Sequence, residues 1–144
     1  MSILRLSQSP PPSVVATTTV SKAIRSLRKS RCGALAVLDE AKLVGVLSER
    51  DLVHRVLGKG RDPTKTRVAD VMTRDVERVG ENAGIEQAYD LMSARHIRHL
   101  VVTDRKGRPV GLLSQRSVAQ AQIEMAAGRL TSLQSFVAED PLED

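Results

Sequence analysis

Aromatic side chains are almost missing from this 144-residue chain: Tyr89 and Phe136 are the only two, and there is no tryptophan. Proteins that hold single-stranded nucleic acid usually stack bases on exposed rings, and two rings cannot build such a platform. The core must therefore be aliphatic. Cysteine is equally scarce. Cys32 alone excludes an intramolecular disulfide and any multi-cysteine zinc site, and it fits a reducing compartment. No run approaches the ~20 apolar residues that span a bilayer. The stretch from Met1 to Pro12 reaches Ser, Gln and Pro before any long apolar segment, so no secretory signal is expected. These absences point to a soluble cytoplasmic protein with no membrane partner.

What is abundant is positive charge, with 22 Lys and Arg against 17 Asp and Glu and a net charge of +5. Up to Arg78 there are 15 basic and 8 acidic residues (+7); beyond it there are 7 and 9 (−2). Such a bias suits anions, nucleotides or nucleic acid without choosing among them. The length suits one compact domain or two small halves sharing a core.

The chain repeats itself, which constrains architecture more firmly than local propensity does. Val20, Ala23, Ile24 and Leu27 superpose on Ile85, Ala88, Tyr89 and Met92 at an offset of 65, at helical spacing. Leu35-Ala-Val-Leu-Asp39 falls on Leu100-Val-Val-Thr-Asp104 at the same offset. Gly45-Val-Leu-Ser48-Glu-Arg50 falls on Gly111-Leu-Leu-Ser114-Gln-Arg116 at 66, so one hairpin turn is a residue longer. Each copy reads as helix, strand, tight turn, strand, helix. The strands, Leu35–Leu38 and Leu43–Leu47 in the first copy and Leu100–Thr103 and Val110–Leu113 in the second, lack polar alternation, which predicts cover on both sheet faces. The closing helices start near Ser48 and Ser114; the first ends near Gly58, before a breaker-rich linker, and the second runs to between Glu124 and Gly128. One half alone buries too little apolar surface, so the halves are expected to pack on each other.

On these tokens, with Val68-Ala-Asp-Val-Met72-Thr73 between the copies and Arg98-His99-Leu-Val-Val-Thr-Asp104 in the second, the sequence resembles the cystathionine β-synthase (CBS) domain family in its tandem form, the Bateman module. The resemblance spans roughly Val14 to Ile123. It implies an α/β (α+β) fold of two pseudo-twofold-related β-α-β-β-α repeats packed sheet to sheet, with clefts between them. It also implies a homodimer, and a regulatory module that binds an adenosine nucleotide such as AMP, ADP or ATP and acts on a protein target that the sequence does not identify. The expected division is an N-terminal extension over 1–13, the first repeat with its linker over 14–66, the second repeat over 67–126 and a C-terminal tail over 127–144. No fused domain is expected, no cofactor is required, and no triad, Walker loop or dinucleotide fingerprint suggests an enzyme.

Ser48-Glu-Arg50-Asp51 stands where a strand turns into a helix. A carboxylate can accept both hydroxyls of a ribose, while a helix N-terminus and Arg suit phosphate. The same Ser-x-x-Asp spacing also makes a helix capping box that needs no ligand. The resemblance assigns Asp51 to ribose and Ser48 to the same cleft, brings Arg98, His99 and Arg116 of the second copy toward phosphate, and adds Ser114 as a further ligand-binding residue. Ser117 stands where the family often has the second Asp, so one good site per chain is expected. Thr17, Thr18 and Thr19 precede the first helix; Thr is a sound N-cap there, and the resemblance offers Thr18 as a polar ligand contact. His96-x-x-His99 has no neighbouring Cys or HExxH pattern to make a metal site.

Outside the repeat, Ile3-Leu-Arg-Leu6 precedes Pro10-Pro-Pro12 and looks unlike Val68–Thr73, which suggests an anchor followed by an extended polyproline-like run. Leu130, Leu133, Phe136 and Val137 recur at near-helical spacing, a face able to cover the module or a dimer mate, or to dock as a helix on another protein. Two rival functions stand beside nucleotide sensing: a structural dimerisation module with degenerate clefts, and a nucleic-acid module resting on the basic first part, which the lack of aromatic platforms argues against.

Overall fold

The structure is a computed structural model that describes residues 2–139. Each repeat forms a three-stranded sheet. In the first, β1 (Ser13–Val15) pairs parallel with β2 (Ala34–Asp39), which pairs antiparallel with β3 (Lys42–Ser48). In the second, β4 (Arg78–Gly80), β5 (His99–Thr103) and β6 (Pro109–Ser114) repeat that order and those senses. The helices are α1 (Ile3–Leu6), α2 (Val20–Lys29), α3 (Glu49–Asp51), α4 (Val68–Val71), α5 (Ile85–Arg95) and α6 (Gln115–Glu139); α3 continues as a wider π turn over Leu52–Leu57. Among the described residues no helix is long and apolar enough to cross a membrane.

The uninterrupted apolar strands are covered on both faces, as their pattern requires. Leu35 and Val37 point to one side, into a core with Val20, Ala23 and Leu27 of α2. Ala34 and Ala36 point to the other, where they meet Val101 and Leu112 of the second sheet. In the second repeat Leu100, Val102 and Leu113 pack beneath Ile85, Ala88 and Met92 of α5. The order is helix, sheet, sheet, helix, and the small Ala34 and Ala36 let the two sheets approach.

Both hairpins carry a bulge at the same place, after Val37 and after Val102. The first closes through Glu40 and Ala41, both at positive φ, as a two-residue turn demands. The second is longer and uses Gly107 at φ +78°, with Asp104 Oδ1 accepting the N–H groups of Lys106 and Arg108. This is the added residue that changes the repeat offset.

The N-terminus departs from the sequence reading. Ile3–Leu6 is a helix with Ser2 as its N-cap, and Ile3 is fully buried in the core of the second repeat, not the first. Gln8 then exchanges backbone hydrogen bonds with Leu112 of β6. Val68–Val71 does the same for the first repeat: Val68, Val71 and Met72 join its core, and Thr73 exchanges backbone hydrogen bonds with Val46 of β3. Ile3–Gln8 is therefore the structural copy of Val68–Thr73 at the offset of 65, and each repeat is completed by a segment preceding the other one. Only after the cis Ser9–Pro10 bond does the chain reach β1 in extended form.

Both crossings pass over a glycine, and at Gly45 the nearby backbone makes it necessary. A Cβ on Gly45 would lie 2.6 Å from Met72 Sδ and 2.9 Å from the Thr73 carbonyl oxygen; one on Gly111 would lie 2.7 Å from Ser7 Oγ. The C-terminal part also differs from expectation, because α6 does not stop by Gly128 but runs on through it to Glu139. Leu130 and Leu133 are exposed, so they do not cover the module; the side chains of Phe136 and Val137 and the Asp140-Pro141 stop lie outside the described residues.

Two stability outcomes follow from the crossings. Gly45→Ala is expected to cost about 1–3 kcal/mol by overpacking against backbone, whereas Gly80→Ala, with nothing within 4 Å of the added methyl, leaves stability nearly unchanged. Ile3→Ala is expected to cost about 2–5 kcal/mol, the usual range for emptying a core position. Urea denaturation of the three variants measures both.

Candidate functional site

Ser48 ends β3 in extended geometry and caps α3. Its Oγ accepts the Asp51 N–H at 3.3 Å, and Asp51 Oδ2 accepts the Ser48 N–H at 2.9 Å, so the capping box is formed. Thr73, delivered by the crossing segment, donates its hydroxyl to Asp51 Oδ1 at 3.1 Å. Asp51 is only 8% exposed, yet it lines a cleft of about 1210 Å³ between the repeats. Each carboxylate oxygen has one protein donor and can accept another, so the group retains room for two vicinal hydroxyls.

The structure brings Ser48, Arg50 and Asp51 of the first repeat and Arg98, His99, Ser114 and Arg116 of the second to this one cleft. Thr18 is not among the lining residues. Its N–H bonds the Val15 carbonyl and its own carbonyl accepts the Val68 N–H, while Thr19 supplies the N-cap of α2. Sequence reasoning missed Thr73 and Tyr89. Thr73 was visible only as the last residue of a spacer token. By its spacing Tyr89 falls on the apolar face of α5, but it is 40% exposed and lines the cleft. Val46, Val76 and Ile97 supply apolar lining, and the ionic lining is balanced, with Arg50, Arg55, Arg98 and Arg116 beside Glu49, Asp51, Asp75 and Glu77. Arg55 is partly occupied, donating to the Val71 and Met72 carbonyls.

The corresponding place in the second repeat is built differently. Ser117 donates its N–H to Ser114 Oγ at 3.1 Å, and the two hydroxyls lie 3.0 Å apart, so the helix start is capped without a carboxylate. Gln8, the counterpart of Thr73, turns to the other repeat, where its Oε1 accepts the Arg31 N–H at 3.1 Å.

His99 links the halves, its Nε2–H donating to the Cys32 carbonyl. His96 instead ends α5 in the left-handed conformation. Burial lowers the His99 pKa below its ordinary value; the Cys32 hydrogen bond and the carboxylates of Glu49 and Asp51 oppose this, and the Arg98 charge adds to it. With the folded pKa below the unfolded one, the unfolded chain binds a proton first as pH falls. The stability from neutral His99 is thus full above about pH 6.5 and declines as pH drops through that value toward the folded pKa. Thermal melts between neutral and mildly acidic pH should show this loss, and His99→Gln should remove its share of the slope.

A family model for the CBS domain matches residues 4–58 and again 68–124. The CBS domain-containing protein YhcV of Bacillus subtilis is 31% identical over 117 residues, covering 80% of this chain and 82% of that one. The chain spans only 60% to 64% of the length of several other curated relatives, an uncharacterized protein of Methanopyrus kandleri among them at 26% identity over 85% of this chain. Among solved structures, a CBS-domain protein of Burkholderia ambifaria aligns with a TM-score of 0.78 at 28% identity, covering 86% of this chain and 95% of that one. A CBS domain protein of Pyrobaculum aerophilum complexed with AMP aligns at 0.72 and 27% identity, over 81% and 89% of the two chains. CBSX2 in complex with AMP aligns at 0.69 and 26%, over 87% and 98%. With both repeats matched in sequence and in fold, the chain belongs to the CBS domain family and carries two copies of the domain.

Proposed function

We propose that the cleft between the repeats binds an adenosine nucleotide and that the protein is a regulatory sensor of it. The observation that carries this reading is the buried Asp51 carboxylate, held by Ser48 and Thr73 in the wall of a cleft that the second repeat lines with Arg98 and Arg116. Ribose hydroxyls donate to Asp51, the base lies against Val46, Val76, Ile97 and Tyr89, and phosphate meets Arg50, Arg98 and Arg116, with the hydroxyls of Ser48 and Ser114 nearby. Four arginines balanced by four carboxylates suit a short phosphate chain, so AMP is favoured over ADP and ATP. The two relatives complexed with AMP support the ligand class.

A ligand touching both repeats changes how they pack only if it binds one packing more tightly than another. That differential affinity is what a regulated protein partner would read.

Titration calorimetry with AMP tests the assignment. Asp51→Asn keeps the size of the side chain and an acceptor for the Ser48 N–H but removes the charge, and is expected to weaken AMP by about 10- to 100-fold, the worth of hydrogen bonds to a charged group. Ser117→Ala is expected to leave affinity unchanged. Equal affinity for wild type and Asp51→Asn contradicts the ribose role. Absence of saturable heat with AMP, ADP and ATP favours the structural reading instead, which the two hydrogen bonds already formed by Asp51 support.

A further inference from the structure

The outer face of α2 carries charge of one sign. Val20, Ala23 and Leu27 are buried, and Lys22, Arg25 and Lys29 stand on the opposite side at helical steps, in a row about 10 Å long with Arg28 beside it. All these cations are exposed, and α2 has no acidic residue. Among the described residues the ion pairs are Arg95–Glu77 and Arg108–Asp104, so none of the α2 cations is paired. The linker adds to them. The Val20 and Ser21 N–H groups donate to the Thr66 and Pro63 carbonyls at 2.8 and 3.1 Å, which puts exposed Lys65 and Arg67 beside the first turn of α2. The acidic residues that flank this pair in sequence are engaged: Asp62 accepts from Thr64, and Asp70 from the Arg67 N–H.

The fold does not ask for these charges. Helix α5 is the counterpart of α2 at the offset of 65 and packs on its own sheet through Ile85, Ala88 and Met92. Yet Gln87, Asp90, Ser93 and Ala94 hold there the positions of Lys22, Arg25, Arg28 and Lys29. Like charges three and four residues apart repel along a helix, and Lys22 lies in the first turn, where the helix dipole disfavours a cation. An anionic partner removes that penalty.

The chemistry of the face selects the partner. None of the large exposed apolar side chains belongs to α2, whose apolar side is already in the core. It therefore has nothing to insert into a bilayer and no apolar anchor for a protein interface. A row of cations flanked by the half-buried hydroxyls of Ser21 and Ser26 instead matches a nucleic-acid backbone, which such groups contact without reading sequence. One strand of B-DNA presents a phosphate every ~3.4 Å along the axis, so the row faces about three of them. The scarcity of rings excludes stacking on single strands but not contact with a duplex. We propose that α2, with Lys65 and Arg67, binds the phosphate backbone of double-stranded DNA without sequence preference. None of these residues lines the nucleotide cleft.

Fluorescence anisotropy of an end-labelled DNA duplex of about two helical turns, titrated with the full chain in KCl from about 50 to 200 mM, tests this. Contacts from the α2 cations predict a slope of log K on log salt near about −3.6, a loss of about 150-fold across that range. A variant carrying both Arg25→Gln and Lys29→Gln is expected to halve the slope, to about −1.8. Arg105→Gln with Lys106→Gln removes the same net charge from the exposed second hairpin and is expected to bind as wild type does. AMP titration and the thermal midpoint of the α2 variant should equal wild type, because neither residue lines the cleft or enters a core, and this separates the surface from the nucleotide reading. No binding by wild type at the lowest salt, or equal losses in the two double variants, overturns the proposal. Capture by phosphatidylglycerol vesicles without binding to the duplex also overturns it and reassigns the face to a membrane.

Discussion

At Gly45 a β-strand passes beneath the turn that ends a short helix, too close to its backbone for a side chain, and at Gly111 an added Cβ would meet the Ser7 and Leu4 side chains of the corresponding turn. The helix over Gly45 comes from the linker and the helix over Gly111 from the N-terminus, so both crossings join parts of the chain far apart in sequence. Each supplies apolar residues that its sheet lacks: Val68, Val71 and Met72 on one side, Ile3 with the flanks of Leu4 and Leu6 on the other. Burying one such side chain contributes roughly 1.5–3 kcal/mol. The linker crossing also sets the site, because the backbone hydrogen bonds between Thr73 and Val46 hold the Thr73 hydroxyl against Asp51.

The two repeats share a scaffold and differ where chemistry would occur. Sheet order, hairpin bulge, capping serine and crossing glycine recur in both. Asp51 becomes Ser117, Thr73 becomes Gln8, and Arg98-His99 stand where the first copy has Gly33-Ala34. A serine can cap a helix as an aspartate does, but it brings no anionic acceptor for a ribose. The fold tolerates the exchange, and the proposed function confines binding to one side.

Much of this was legible in the sequence because it depends on local rules. The 65/66 offset, the apolar runs and Ser48-x-x-Asp51 all depend on residues close in sequence and reappear as strands, sheet faces and a helix cap. Three features were not legible. Ile3–Gln8 shares only apolar spacing with Val68–Thr73 and precedes three prolines, so its helix and its place on the second repeat were hidden. The contact from Thr73 to Asp51 spans 22 residues and arises only after the crossing forms. The run of α6 through Gly128 was masked because glycine reads as a stop, although here it sits in a helix with open space around it.

The central claim is that a nucleotide occupies the Asp51 side of the inter-repeat cleft, and amide chemical-shift mapping during an AMP titration tests it most directly. The account predicts saturable changes at Ser48 to Asp51, Thr73, Arg98 and His99, with little change at Gln8 and Ser117. Changes centred on Gln8 and Ser117, or none across the cleft, would contradict it.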